Sequence, residues 1–184
     1  MSDTPKRITL GSGSLYCIPY VDTVPEVEEI CVAENELGYI KGGASLEYTP
    51  TFYEAKDDLG KVVKTIITEE SALLKSGILT FNGNTLTKLC DTGRVTEDAV
   101  NKRRIVKIGG IGNAQGKKYV FCFHHKDPVD GDIWVIIVGQ NQAGFTLAFA
   151  KDAETVIDAE FKCLAQDTEG TLIQYIEADS SITA

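Results

Sequence analysis

Apolar and polar residues alternate along this chain with a period of two rather than 3.6. In "VIDAEFKCLAQ", Ile157, Ala159, Phe161, Cys163 and Ala165 share one face of an extended chain, and Val156, Asp158, Glu160, Lys162, Leu164 and Gln166 share the other. That spacing predicts a strand with one face in a core and one polar face. "GFTLAFA" reads the same way, with Phe145, Leu147 and Phe149 on one side. "IWVIIV", Ile133 to Val138, is apolar on both faces and predicts a central strand, or one covered by a neighbouring subunit. "KKYVFCFHHK" and "TLIQYIE" are further strands, rich in aromatic and β-branched residues.

"TEESALLKSG" has the composition of a helix, but its flanks "VVKTIIT" and "ILTF" are β-rich, and one long strand hairpin accounts for the whole stretch. One short helix is expected in "NGNTLTKLCD", with Asn84 as N-cap and Leu86, Leu89 and Cys90 at helical spacing. "GQNQAG" and "DTEG" read as hairpin connections, and "GGIGNAQGKK" as a flexible hairpin tip. The expected fold is mainly β: a β-sandwich or barrel with one short flanking α-helix and a long inter-strand loop. It forms a single domain over 1–184, with an N-terminal arm over about 1–14 and a flexible end over about 178–184.

Charge narrows the possibilities. The formal net charge of −9 argues against a protein that grips phosphate backbones through lysine and arginine. Acids and bases are also segregated. Asp22 to Glu36 holds six acids and no bases, and Lys102 to Lys118 holds six bases and no acids. Two solvated loops would explain this. So would complementary patches meeting between copies of the chain, with Glu26, Glu28 and Glu29 facing Arg103, Arg104 and Lys107.

Candidate chemistry is sparse. Five cysteines, with no C-x-x-C pair, read as reduced thiols in a cytosolic setting. No signal peptide is apparent in "MSDTPKRITLGSGS", and no apolar run is long enough to cross a bilayer. "GGIGNAQGKK" is not a phosphate loop: the glycine that a Walker loop requires is Ile111, and Lys118 stands where Ser or Thr would hold magnesium. "FCFHHKD" gathers Cys122, His124, His125 and Asp127, but the other cysteines supply no spacing that would complete a zinc site. Paired acids such as Glu69–Glu70 point to opposite faces of a strand and make poor acid–base partners. The expectation is no catalytic residue, no metal and no cofactor.

Taken together, "LGSGSLYCIPY", then "ELGYIKGGASLEYTPTFYEAKDDLGKVVKTIITEESALLKSGILTFNGNTLTKL", then a β-rich second half are similar to the tail tube (major tail) proteins of tailed bacteriophages. The likeness lies in order: a glycine-bearing first strand, a "G-x-I-x-G-G" start to a strand rich in Glu, Tyr and Thr, a charged loop, a long strand pair, a small helix and a run of hairpins. The resemblance implies a β-sandwich with a flanking helix, related in fold to the tube protein of type VI secretion. It implies hexameric rings stacked head to tail into a virion tail tube that delivers DNA, assembled in the cytoplasm of the bacterial host. The implied partners are further copies of the chain, a tape-measure protein, a tail terminator, baseplate or tail-tip proteins, a sheath protein if the tail is contractile, and double-stranded DNA in transit, with no membrane partner.

The same resemblance implies roles for particular residues. The loop holding Glu54, Lys56, Asp57, Asp58 and Lys61 would reach the adjacent ring. Lys64, Thr68 and Glu70 on one strand, and Asp158, Glu160 and Lys162 on another, would include lumen positions, where acidic side chains keep DNA from adhering. Gly42 and Gly43 would allow a bend or bulge where the strand joins the barrel. The alternatives are the inner tube of a contractile tail or of a phage-tail-like injection particle; a monomeric β-sandwich module binding a polyanion through Lys102 to Lys118; and an enzyme using Cys122 or His124.

Overall fold

A computed structural model describes residues 7–182. Of the described residues 46% are in strands and 9% are helical. Its main sheet runs in the order β2 (Glu36–Gly38), β1 (Ser14–Pro19), β7 (Tyr119–His125), β8 (Ile133–Asn141), β9 (Ile157–Leu164), β4 (Val62–Ile78), β3 (Ile40–Lys56). β10 (Gln174–Glu177) also pairs with β8. A separate hairpin joins β5 (Arg94–Asp98) to β6 (Arg103–Lys107). Every pairing is antiparallel.

The sheet rolls into an incomplete barrel. β2 and β3 are its two margins, yet only Tyr39 separates them in sequence. Tyr39 ties the margins to the end of β4: its N–H donates to Thr80 Oγ1 at 2.7 Å, and its carbonyl accepts from Leu79 N–H at 2.7 Å. Period-two alternation then sorts the side chains into two cores. Leu15, Leu37, Leu74, Ile78, Phe121, Ile137, Ile157 and Phe161 fill the interior. The Phe121 and Phe161 rings stack there with centroids 3.8 Å apart, although β8 lies between their strands. Tyr16, Val120, Cys122, Ile136 and Val138 form a second core on the outer wall.

Two short helices cover these cores. α1 (Val27–Ile30) lays Ile30 on the outer core. It is one turn long with no side-chain cap, too short for its period to stand out in the sequence. α2 (Gly83–Lys88) packs Leu86 and the following Leu89 on the interior core. Its N-cap is Asn82, not the expected Asn84. The Asn82 carboxamide oxygen accepts from Asn84 and Thr85 N–H, and Thr85 Oγ1 accepts from Asn82 N–H. Asn84 also has a hydroxyl three residues on, but Thr87 Oγ1 donates to the Asn84 carbonyl and closes no such box.

Several expected connections differ. "GFTLAFA" forms no strand; Phe145 and Leu147 pack on the interior core while Phe149 stays exposed. The reason is competition for edges: around Gly139, β8 is already paired with β7 on one side and β9 on the other. "GQNQAG" is therefore no tight hairpin, because the next strand begins at Ile157. "DTEG" is a turn, with the Asp167 carboxylate accepting from Glu169 and Thr171 N–H. It does not pair the strands beside it, since β9 and β10 both pair with β8. "GGIGNAQGKK" links β6 to β7, which lie in different sheets, and is ordered around Asp91, whose carboxylate accepts from the Gln115, Gly116 and Lys117 amides.

Of the proposed N-terminal arm, residues 1–6 lie outside the described residues, as do 183–184 of the other end. The end expected to be flexible is anchored at its start. Arg7 donates to the carbonyls of Gly131 and Ala178, and Ala178 N–H donates to the Asp132 carbonyl.

Candidate assembly surface

The feature most in need of a partner is the β3–β4 hairpin. Its strands have 17 residues each, but β4 pairs with β9 only from Leu73 to Ile78. From Ala72 to Val62, β4 has β3 alone, so the outer half of the hairpin is a two-stranded ribbon about 33 Å long at ~3.3 Å per residue. Its apolar side chains lie on both faces: Phe52 opposite Ile67 on one, Tyr53 opposite Ile66 on the other, all exposed. An isolated two-stranded ribbon is marginally stable in water, and this one presents open hydrogen-bonding edges on both sides.

The expected long charged loop is, in the structure, the short tip of this ribbon. Strands continue through Glu54 and Lys56, and only 57–61 turns the chain. Asp57 closes the turn: its carboxylate accepts from Leu59 and Lys61 N–H, and its own N–H donates to the Lys61 carbonyl at 2.9 Å. Asp58 and Lys61 are exposed there, and Lys56 pairs with Glu54 at 3.5 Å.

The polar outer wall of β9, β4 and β3 forms the second part of the surface. Cross-strand register places Lys162 beside Leu73, Glu160 beside Lys75 and Asp158 beside Gly77. Lys75 bridges three strands, with Nζ 3.2 Å from Glu47 and 3.6 Å from Glu160; these contacts raise its pKa, the Glu47 hydrogen bond most. Among the described residues no helix covers this wall, in contrast to the outer core beneath α1. At its margin Gly42 and Gly43 both take positive φ, at 80° and 75°, where β3 bulges between Lys41 and Ala44. A cleft of about 470 Å³ opens at this bulge, lined by Lys41, Ser45, Lys75, Asp158 and Glu160.

The six expected lumen positions do not share one face. Glu70 is in phase with the buried Ala72 and Leu74, whereas Asp158, Glu160 and Lys162 point outward. Thr68 is an extra residue, since Thr51 pairs with Glu69 and Phe52 with Ile67. This bulge reverses the alternation, so Lys64, opposite Ala55, returns to the outward phase. Glu70 instead accepts a hydrogen bond from the Tyr48 hydroxyl.

The two charge clusters lie on different elements. Glu26, Glu28 and Glu29 belong to the segment around α1, over the outer core. Arg103, Arg104 and Lys107 lie on β6, which packs against α2. Arg104 pairs with Glu97 across its own hairpin at 3.1 Å. Among the described residues no ion pair joins the clusters.

The polar residues of "FCFHHKD" have structural partners. His124 Nε2 lies 2.8 Å from Asp132, and its ring stacks on Trp134. The His124 hydrogen bond, followed by the Asp127 amide, holds the Asp132 carboxyl below its usual pKa. His125 Nδ1 lies 2.7 Å from the Ser12 carbonyl. Cys122 faces Cys31, sulfur to sulfur, at 3.5 Å. Among the described residues no group of three or more His, Cys, Asp and Glu side chains could hold a metal.

The chain matches no protein-family model and no curated protein.

Proposed function

We propose that this chain is a structural subunit that polymerises through its β3–β4 ribbon, building the tail tube of a tailed bacteriophage. The single observation that carries the reading is the ribbon, apolar on both faces with both edges open. Docking it on the next copy removes the exposed halves of Phe52, Tyr53, Ile66 and Ile67 from water, worth about 1 kcal/mol each before the costs of association. A contact between the ribbon of one copy and a different surface of the next is heterologous. It closes into a ring if the rotation permits, and one ring stacks on another by the same logic.

In such a ring the outer wall of β9, β4 and β3 faces the lumen. Glu47, Glu69, Asp158 and Glu160 interleave with Lys41, Lys64, Lys75 and Lys162 there, so the wall has no net positive charge to hold phosphates, which lets DNA slide. The tip at Asp57 to Lys61 reaches the neighbouring ring. Hexameric symmetry, the tape-measure, terminator and tail-tip partners, location in the virion and the absence of catalysis come with the resemblance and belong to this proposal. The inner tube of a contractile tail uses the same surfaces, and a sheath protein co-purifying with the tube selects it.

Negative-stain microscopy of the purified chain at rising concentration tests the reading. Rings or tubes are expected from the native chain and single particles from Phe52→Ser/Ile66→Thr. Single particles from the native chain at every concentration, with or without a tail-tip complex to start growth, overturn it.

A further inference from the structure

We infer that Cys31 and Cys122 form a dithiol that closes to a disulfide on exposure to a hydroperoxide, pinning α1 to the barrel wall. Their sulfurs are 3.5 Å apart although 91 residues separate them in sequence. The two differ in access. Cys31 follows the last residue of α1 and is partly open to water. Cys122 is fully buried on β7, flanked across the ladder by Tyr16 and Ile136. They differ in acidity as well. The thiol–thiol hydrogen bond, with a smaller contribution from Lys126, lowers the Cys31 pKa, whereas the same bond and burial raise that of Cys122. Cys31 is therefore the thiolate a peroxide reaches, and Cys122 the resolving thiol.

The chemistry balances in two steps. The Cys31 thiolate attacks a peroxide oxygen and breaks the O–O bond. This gives a sulfenic acid and, after proton transfer, an alcohol from an alkyl hydroperoxide or water from hydrogen peroxide. The Cys122 thiol then attacks the sulfenic sulfur; its proton and the sulfenic hydroxyl leave as water, and the S–S bond forms. The sulfurs approach by about 1.5 Å to reach bonding distance. α1 can supply this motion, being a single turn without a side-chain cap and ending at Cys31.

The consequence falls on the acidic segment 21–35. In the dithiol form α1 rests on the wall through Val27, Ile30 and Cys31. In the disulfide form it is covalently fixed, with Glu26, Glu28 and Glu29 held in one place. This inference stands apart from tube assembly, because it concerns a contact within one copy.

The test is a peptide map of the full chain treated with hydrogen peroxide and then alkylated. The expected result is a Cys31–Cys122 linked peptide, a whole-chain mass lower by two hydrogens, and loss of protease cleavage within 21–35 that dithiothreitol restores. In Cys122→Ala, the sulfenic acid at Cys31 persists and is trapped by dimedone. Because the native chain supplies the deciding map, a folding defect in the variant leaves the outcome readable. Cys31 overoxidised or linked to another copy, or both thiols still free after peroxide, overturns the inference.

Discussion

Phe52 of β3 stands directly opposite Ile67 of β4, and both side chains remain half exposed, at 54% and 51%. Cross-strand apolar pairs stabilise a sheet when a further layer covers them. Among the described residues no such layer is present, so the pair contributes little to the lone subunit and much to whatever covers it.

Phe52→Ser combined with Ile66→Thr, one change on each face of the ribbon, should therefore separate folding from assembly. Thermal unfolding of the subunit should shift by less than about 0.5 kcal/mol, because neither side chain is in a core. The concentration at which sedimentation detects polymer should rise at least tenfold, about 1.4 kcal/mol. A large loss of subunit stability with unchanged polymerisation would make the ribbon part of the subunit's own core.

The Thr68 bulge gives a second test. Glu160→Lys places a base on the outward wall, while Glu70→Lys places one on the other face of the same sheet. Tubes should form in both cases. DNA release should slow in the Glu160 variant and stay at the native rate in the Glu70 variant, as followed by dye uptake after ejection is triggered. Slowing by Glu70→Lys alone would reverse the assigned faces.

Asp91 organises the loop before β7 by accepting three backbone amides, and these hold its carboxyl below the usual pKa, Lys117 contributing most. A pKa lower in the folded state stabilises the fold above the unfolded carboxylate range and ceases to do so as pH falls through the folded value. Asp91→Ala should cost about 1 kcal/mol near neutral pH, below the roughly 1.5–3 kcal/mol usual for charged hydrogen bonds because the site is open to water. In urea titrations the gap between native and variant chains should be full above about pH 5 and shrink on acidification.

Phe161 is fully buried and stacked on Phe121. Phe161→Ala should destabilise the subunit by about 3–5 kcal/mol, measured by the urea midpoint, because it removes a ring from the centre of the interior core. Gly139→Ala should be comparably disruptive by the opposite route: a Cβ there would sit 2.2 Å from the Lys162 carbonyl oxygen.

What the sequence alone determined is local. Alternation in "VIDAEFKCLAQ" assigned Ile157, Ala159, Phe161, Cys163 and Ala165 to a core; the structure buries the first four, but β9 ends at Leu164, and beyond it Ala165 is exposed and Gln166 buried. The all-apolar "IWVIIV" announced a strand covered on both faces, and β8 carries interior core on one side and outer core on the other. "TEESALLKSG" was legible as strand from its β-rich flanks, and Gly42–Gly43 as a bulge from the absence of Cβ atoms. Side-chain direction in a strand depends only on neighbouring backbone dihedrals, so a pattern of one residue in two suffices to read it.

Tertiary structure decided everything that depends on which strands meet. The single residue Tyr39 between opposite sheet margins curls the sheet into a barrel, and no local pattern marks it. The extra residue at Thr68 turns Lys64 and Glu70 to opposite faces, a consequence visible only once β3 supplies the register. Occupied edges of β8 kept "GFTLAFA" out of the sheet despite its alternation. The approach of Cys31 to Cys122 likewise exists only because α1 folds back onto β7. Pairing is a relation between distant segments competing for a limited number of hydrogen-bonding edges, and that competition is settled by the whole chain at once.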